Sequence, residues 1–91
     1  MALDFQKINE LISHNRISEA INLINDTLDS EPQNEAAWFW RGKLHWRMGN
    51  RRQAINDYTK AVDINPNSPA RRAIELGQDI DNFFNPDIFN P

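Results

Sequence analysis

The chain has 91 residues, no cysteine, three Trp and a formal net charge of −3. That leaves room for one hydrophobic core and excludes a disulfide framework, a Cys-bound zinc and a thiol nucleophile. The longest wholly apolar run, Ala36 to Trp40, is too short to cross a bilayer, so no membrane partner is expected. Asp4 stands where a signal peptide would begin its apolar stretch, which makes the cytoplasm the expected compartment.

Helical spacing of Phe5, Ile8, Leu11 and Ile12 predicts a first helix, opened by Asp4 as N-cap and closed by Asn15. Ile17, Ala20, Ile21, Ile24 and Leu28 predict a second. Asn34 caps a third, in which Trp38, Gly42, His45 and Met48 precede Gly49. Ala54, Ile55, Tyr58, Ala61 and Val62 form a fourth, running up to Pro66. Ser68-Pro69 opens a fifth, to about Phe83, with Ala73, Leu76, Gly77, Ile80 and Phe83 on one side. In residues 84–91, Phe84-Asn85-Pro86-Asp87-Ile88-Phe89-Asn90-Pro91, two prolines and the Asn and Asp turn formers exclude regular helix.

The chain also repeats itself. A shift of 34 residues aligns Ala2 with Ala36, Phe5 with Phe39, Ala20-Ile21-Asn22 with Ala54-Ile55-Asn56, Asp29 with Asp63 and Pro32 with Pro66. The same shift sets Asn15 against Gly49, the residue types that best tolerate a left-handed helix end, and Asn34 against Ser68.

A helix–turn–helix of this length carrying Trp38, Gly42, Ala54, Tyr58, Ala61 and Pro66 at these spacings resembles the tetratricopeptide repeat (TPR). Residues 35–68 carry the resemblance most fully, and residues 1–34 share it through Ala20, Pro32 and the register. The tail is similar to the endings of other short bacterial TPR proteins. The implied architecture is all-α, an α-α superhelix of about 2.5 repeats. Residues 1–34 form an atypical first hairpin and 35–68 a second; 69–83 form a capping helix and 84–91 an extended, Pro-containing tail. Ala20, Trp38, Gly42, Ala54, Tyr58, Ala61 and Pro66 are the expected core positions. Departures from the family pattern are Lys7 and Arg41 in place of Leu, Leu11 and His45 in place of Tyr, and Ile8 in place of the small Gly. With Ile8 there, the first helix pair is expected to cross more openly than the second.

One residue round the third helix from the core stripe lie Phe39, Lys43 and Trp46, flanked by Trp40 and Arg47. The resemblance places such positions in a concave groove that holds extended peptides, to which the first helix would add Phe5, Asn9, Ile12 and Ser13. Aromatic stripes at helical spacing are usually core, yet one helix of so small a fold cannot easily bury Trp38, Phe39, Trp40 and Trp46 together. The expected peptide-binding set is therefore Phe5, Asn9, Phe39, Trp40, Lys43, Trp46 and Arg47, with the aromatics as anchors. A carboxylate clamp of the chaperone-binding kind is not expected. Its positions hold Phe5, Asn9, Trp40, Ala70 and Ile74, of which only Asn9 fits.

Charge is uneven: −4 over residues 1–34, +3 over 35–68 and −2 over 69–91. The basic middle unit, with Arg41, Lys43, Arg47, Arg51 and Arg52 near the Trp residues, suits an acidic peptide or single-stranded nucleic acid. It equally balances the acidic flanks, and the acidic chain as a whole disfavours nucleic acid. His14 and His45 are the only histidines; His45, at a usual Tyr position, is expected as a hydrogen-bonded core side chain. No catalytic, metal-binding or cofactor-binding motif is present, so neither an enzyme nor a cofactor is expected. The expected function is a non-catalytic protein-interaction scaffold that binds an extended, acidic or apolar segment of another protein. The alternative is a self-association module whose own tail fills the groove in cis or in trans, with a possible homodimer. Single-stranded nucleic-acid binding through the second repeat ranks below both.

Overall fold

A computed structural model describes residues 3–76. The expectations for Gly77, Ile80, Phe83 and the 84–91 tail lie outside those residues. The fold is all-α: α1 (Phe5–Ser13), α2 (Ile17–Ser30), α3 (Glu35–Arg47) and α4 (Arg51–Ile64), followed by a fifth helical segment, α5 (70–76). Among the described residues no helix is long and apolar enough to cross a membrane.

The 34-residue register is written into the backbone's punctuation. Asn15 adopts φ 60° and Gly49 φ 86°. At the first site the Arg16 amide donates to the Leu11 carbonyl at 2.8 Å and the Asn15 amide to Ile12 at 2.9 Å. At the second, Asn50 donates to His45 at 2.8 Å and Gly49 to Trp46 at 3.0 Å. Both are the paired bonds that terminate a helix through one left-handed residue. Helix starts are equally local. The Asp4 carboxylate accepts from the Lys7 amide at 3.0 Å, the Asn34 side chain from Ala37 at 3.1 Å, and the Ser68 hydroxyl from Ala70 at 3.1 Å. Ser68 also donates to Glu35, tying the start of α5 to the start of α3.

Two apolar clusters hold the helices together. Leu3, Ile8, Ile17, Ala20, Ile24, Leu28, Ala37 and Leu44 form the first; Ala54, Tyr58, Ala61 and Ala70 form the second. Trp38 packs against both. It is only half-buried, and its indole nitrogen donates to the Pro32 carbonyl at 2.9 Å. Pro66, expected in the core, is exposed. It lies in the turn after α4, where the fixed φ of proline serves the chain reversal rather than packing.

The two hairpins differ in closeness for a steric reason. A Cβ on Gly42 would stand 2.7 Å from the Tyr58 ring and 3.2 Å from the Ala54 carbonyl, so α3 and α4 meet at a distance that only glycine permits. At the equivalent place α1 carries Ile8, fully buried. Between α1 and α2 the surface opens into a cleft of about 390 Å³ lined by Lys7, Leu11, Arg16, Glu19, Asn22, Leu23 and Asp26.

Burial raises the Tyr58 hydroxyl to about 12, and the adjacent Asp57 charge adds to the shift. An unfolded tyrosine titrates near ~10. The folded pKa is the higher, so the stability Tyr58 contributes is complete below about pH 10 and is lost as pH rises through about 12. Over that window wild type is expected to lose about 2–3 kcal/mol more than Tyr58→Phe in denaturant titrations. Tyr58 is the only tyrosine, so tyrosinate absorbance reads its ionisation directly. Parallel losses in the two proteins would remove Tyr58 as the cause.

Candidate functional site

Rings contributed by α1, α3 and α4 build a continuous strip. The Phe5 and Trp40 rings lie 5.9 Å apart across the two helices, Trp40 and Phe39 6.2 Å apart, and Phe39 and Tyr58 5.9 Å apart. Each is an edge or tilted contact of the kind aromatic quadrupoles favour, worth about 0.5–1.5 kcal/mol beyond burial. Phe5 remains 41% exposed, whereas Phe39 and Trp40 are half-buried, Phe39 against the second cluster and Trp40 against the first.

Lys43 completes the strip. One turn beyond Phe39, its ammonium lies 4.4 Å from the Trp40 ring centre and 5.4 Å from that of Phe39. The cation sits on π faces; no ion pair between Lys43 and a carboxylate is present among the described residues. The patch therefore combines apolar area with a positive charge left open to a ligand's acid.

Other expected residues are placed differently. Asn9 is exposed on α1 and Arg47 exposed at the end of α3. Trp46 is half-buried against the second cluster, with the Arg51 guanidinium 5.3 Å from its ring centre. Among the described residues no ring contact joins Trp46 to the Phe5–Trp40–Phe39 strip. Phe5, Phe39, Trp40 and Lys43 are thus brought together, and Trp46, Arg47 and Asn9 stand outside that set of ring and cation contacts.

Arg41 faces inward, against its place in the basic unit, and His45 faces inward as expected but without the expected hydrogen bond. Arg41 does not offer its charge to a ligand: its guanidinium holds both carboxylate oxygens of Asp57, each at 2.9 Å. It also donates to the Asn25 side chain at 2.9 Å and lies 4.8 Å from the Trp38 ring centre. Asp57 is only 4% exposed. One planar cation thus links α2, α3 and α4 through charge-assisted bonds. His45, expected to be hydrogen-bonded, has a buried Nδ1 with no partner, while its Nε2 is 4.0 Å from Asp57. At that distance His45 lies beyond hydrogen-bond range of the carboxylate. Sequence spacing gave no sign of this network, because its members lie 16 residues apart on separate helices.

Residues 35–68 match the family model of the tetratricopeptide repeat. The chain is similar to the solution NMR structure of Bacteroides fragilis protein BF1650, with 34% sequence identity and a TM-score of 0.80. That likeness covers 93% of this chain and 87% of the other. No curated protein matches the chain.

Proposed function

We propose a function for this chain from one premise: it belongs to the tetratricopeptide repeat family. Repeats of this family generally mediate protein–protein interaction and serve as non-catalytic scaffolds. The finer reading is that this chain binds an extended segment of another protein along α1 and α3. Phe39, Trp40 and Trp46 are its anchors and Phe5 its rim; Lys43 and Arg47 pair with acids of the ligand, and Asn9 holds ligand backbone.

The observation that carries this reading is the open cation over the aromatic strip. The π faces of Trp40 and Phe39 hold the lysine in place, and with no carboxylate paired to it among the described residues its charge is available to a ligand. An incoming Asp or Glu finds a positive partner there, on a low-dielectric floor that strengthens the attraction. Apolar side chains next to that acid cover the exposed part of Phe5.

Selection from a random peptide library, followed by titration of the chosen peptides against Trp fluorescence, tests the reading. Enriched peptides are expected to carry Asp or Glu within a few residues of an aromatic or large aliphatic side chain. Lys43→Glu is expected to weaken them about tenfold or more, and Phe5→Ala several-fold, with thermal stability kept. No enrichment, or affinity unchanged in the Lys43→Glu, Phe5→Ala double variant, would overturn it.

A further inference from the structure

The sequence after the last described residue has an unusual make-up. Residues 77–91 contain no Lys or Arg, three acids (Asp79, Asp81, Asp87) and three of the chain's five Phe (Phe83, Phe84, Phe89), with Ile80 and Ile88. That is the chemistry for which the α1–α3 face is open. The face offers exposed Phe5, half-buried Trp40 and Phe39, and Lys43 on their rings. Charge matches in sign: Lys43 and Arg47 are cations, and residues 84–91 carry one acid, Asp87, and no Lys or Arg.

Reach is ample. Along α3, Phe39 to Trp46 spans roughly 10 Å at the helical rise. Residues 84–91 alone, drawn out, cover up to ~26–29 Å. A ligand tethered this closely is present at an effective concentration on the order of millimolar, which favours its own groove over that of another molecule.

We propose that residues 84–91 of this chain are the resident ligand of its own α1–α3 face. Asp87 supplies the acid for Lys43, and Phe84 and Phe89 the aromatic side chains for the strip. The inference rests on the reading of that face as a peptide-binding surface and adds what occupies it. An outside partner must then displace the chain's own segment, and the partners that succeed are acidic, aromatic segments of the same chemistry.

The test uses full-length chains and, as probe, a synthetic peptide of residues 80–91. In the variant Phe84→Ala, Asp87→Lys, Phe89→Ala the face is vacated, so the peptide is expected to bind at least about tenfold more tightly than to wild type. The Trp40 indole proton resonance is expected to move in that variant and to return to its wild-type position at saturation. Should the triple variant fold poorly, Lys43→Glu is expected to move the same resonance, and adding Asp87→Lys to it to restore the position. Equal peptide affinity for wild type and variant, with Trp40 unmoved, overturns the proposal. If the probe binds neither chain while library-selected acidic peptides still bind, the resident ligand falls and the groove reading stands; if those fail as well, both fall. Light scattering is expected to give a monomer. A wild-type dimer that dissociates in the triple variant would overturn occupancy within one chain and assign the segment to a second copy.

Discussion

Trp38→Ala is expected to lower stability by about 3–5 kcal/mol, the range for truncating a large aromatic that packs in a core. The indole touches both apolar clusters, so its loss opens a void where the two hairpins meet. Three further contacts go with it. The Pro32 carbonyl loses its donor at 2.9 Å, the Arg41 guanidinium its π face at 4.8 Å, and Lys60 its contact at 5.9 Å. Its partial exposure places the effect toward the lower end of the range. A chain of this size has a total stability of roughly 5–14 kcal/mol. The melting temperature should therefore fall by more than about 10 °C. A variant that melts within a few degrees of wild type would mean that the hairpins do not depend on this side chain.

Asp57→Ala is expected to have an effect of similar size, about 3–5 kcal/mol, for an electrostatic reason. Arg41 would keep its place between helices without the carboxylate that holds it by two bonds. Removing Arg41 alone leaves the opposite defect, a carboxylate 4% exposed whose other cationic candidate, His45, stands 4.0 Å away. Arg41→Met combined with Asp57→Leu removes both charges and keeps most of the volume, so the pair should be less destabilised than the sum of the single variants. Denaturant titrations of wild type, Arg41→Met, Asp57→Leu and the double variant give the coupling energy directly. Additive losses would show that the two side chains act independently and that the bond contributes little. The network also explains how Arg41 stands where the family usually has Leu: its length reaches Asn25 and Asp57 at once, and Trp38 covers its flat face.

The residues that reveal the fold are those whose conformational demands are local. Asn15 and Gly49 take positive φ, Asp4, Asn34 and Ser68 accept from the first turns, and Gly42 admits the Tyr58 ring. Each is legible from one residue type at one spacing, and the shift of 34 residues shows two of them again, Asn15 as Gly49 and Asn34 as Ser68. The face on α1 and α3 is legible in the same way, since Phe5 aligns with Phe39 and helical spacing sets Lys43 one turn on. What stays hidden depends on pairing between helices. Nothing in the spacing of Arg41, Asn25 and Asp57 distinguishes a buried staple from a solvated charge. Trp46 is drawn toward the second cluster by its packing neighbours, not by its place on the stripe. Pro66 shows a further limit: a family position occupied for backbone reasons reads in sequence like one occupied for burial.

The central claim is that the ligand lies on α1 and α3, and a backbone amide map of the chain titrated with a selected acidic, aromatic peptide tests it most directly. The largest shifts are expected at Phe5, Asn9, Phe39, Trp40 and Lys43 and at the Trp40 indole. The outward residues of α2 and α4, such as Asp26, Asp29, Asn56 and Asp63, should stay in place. Shifts centred on α2 and α4, or on the cleft bounded by Lys7, Glu19 and Asp26, would contradict the claim and move the binding site to the other face of the repeat.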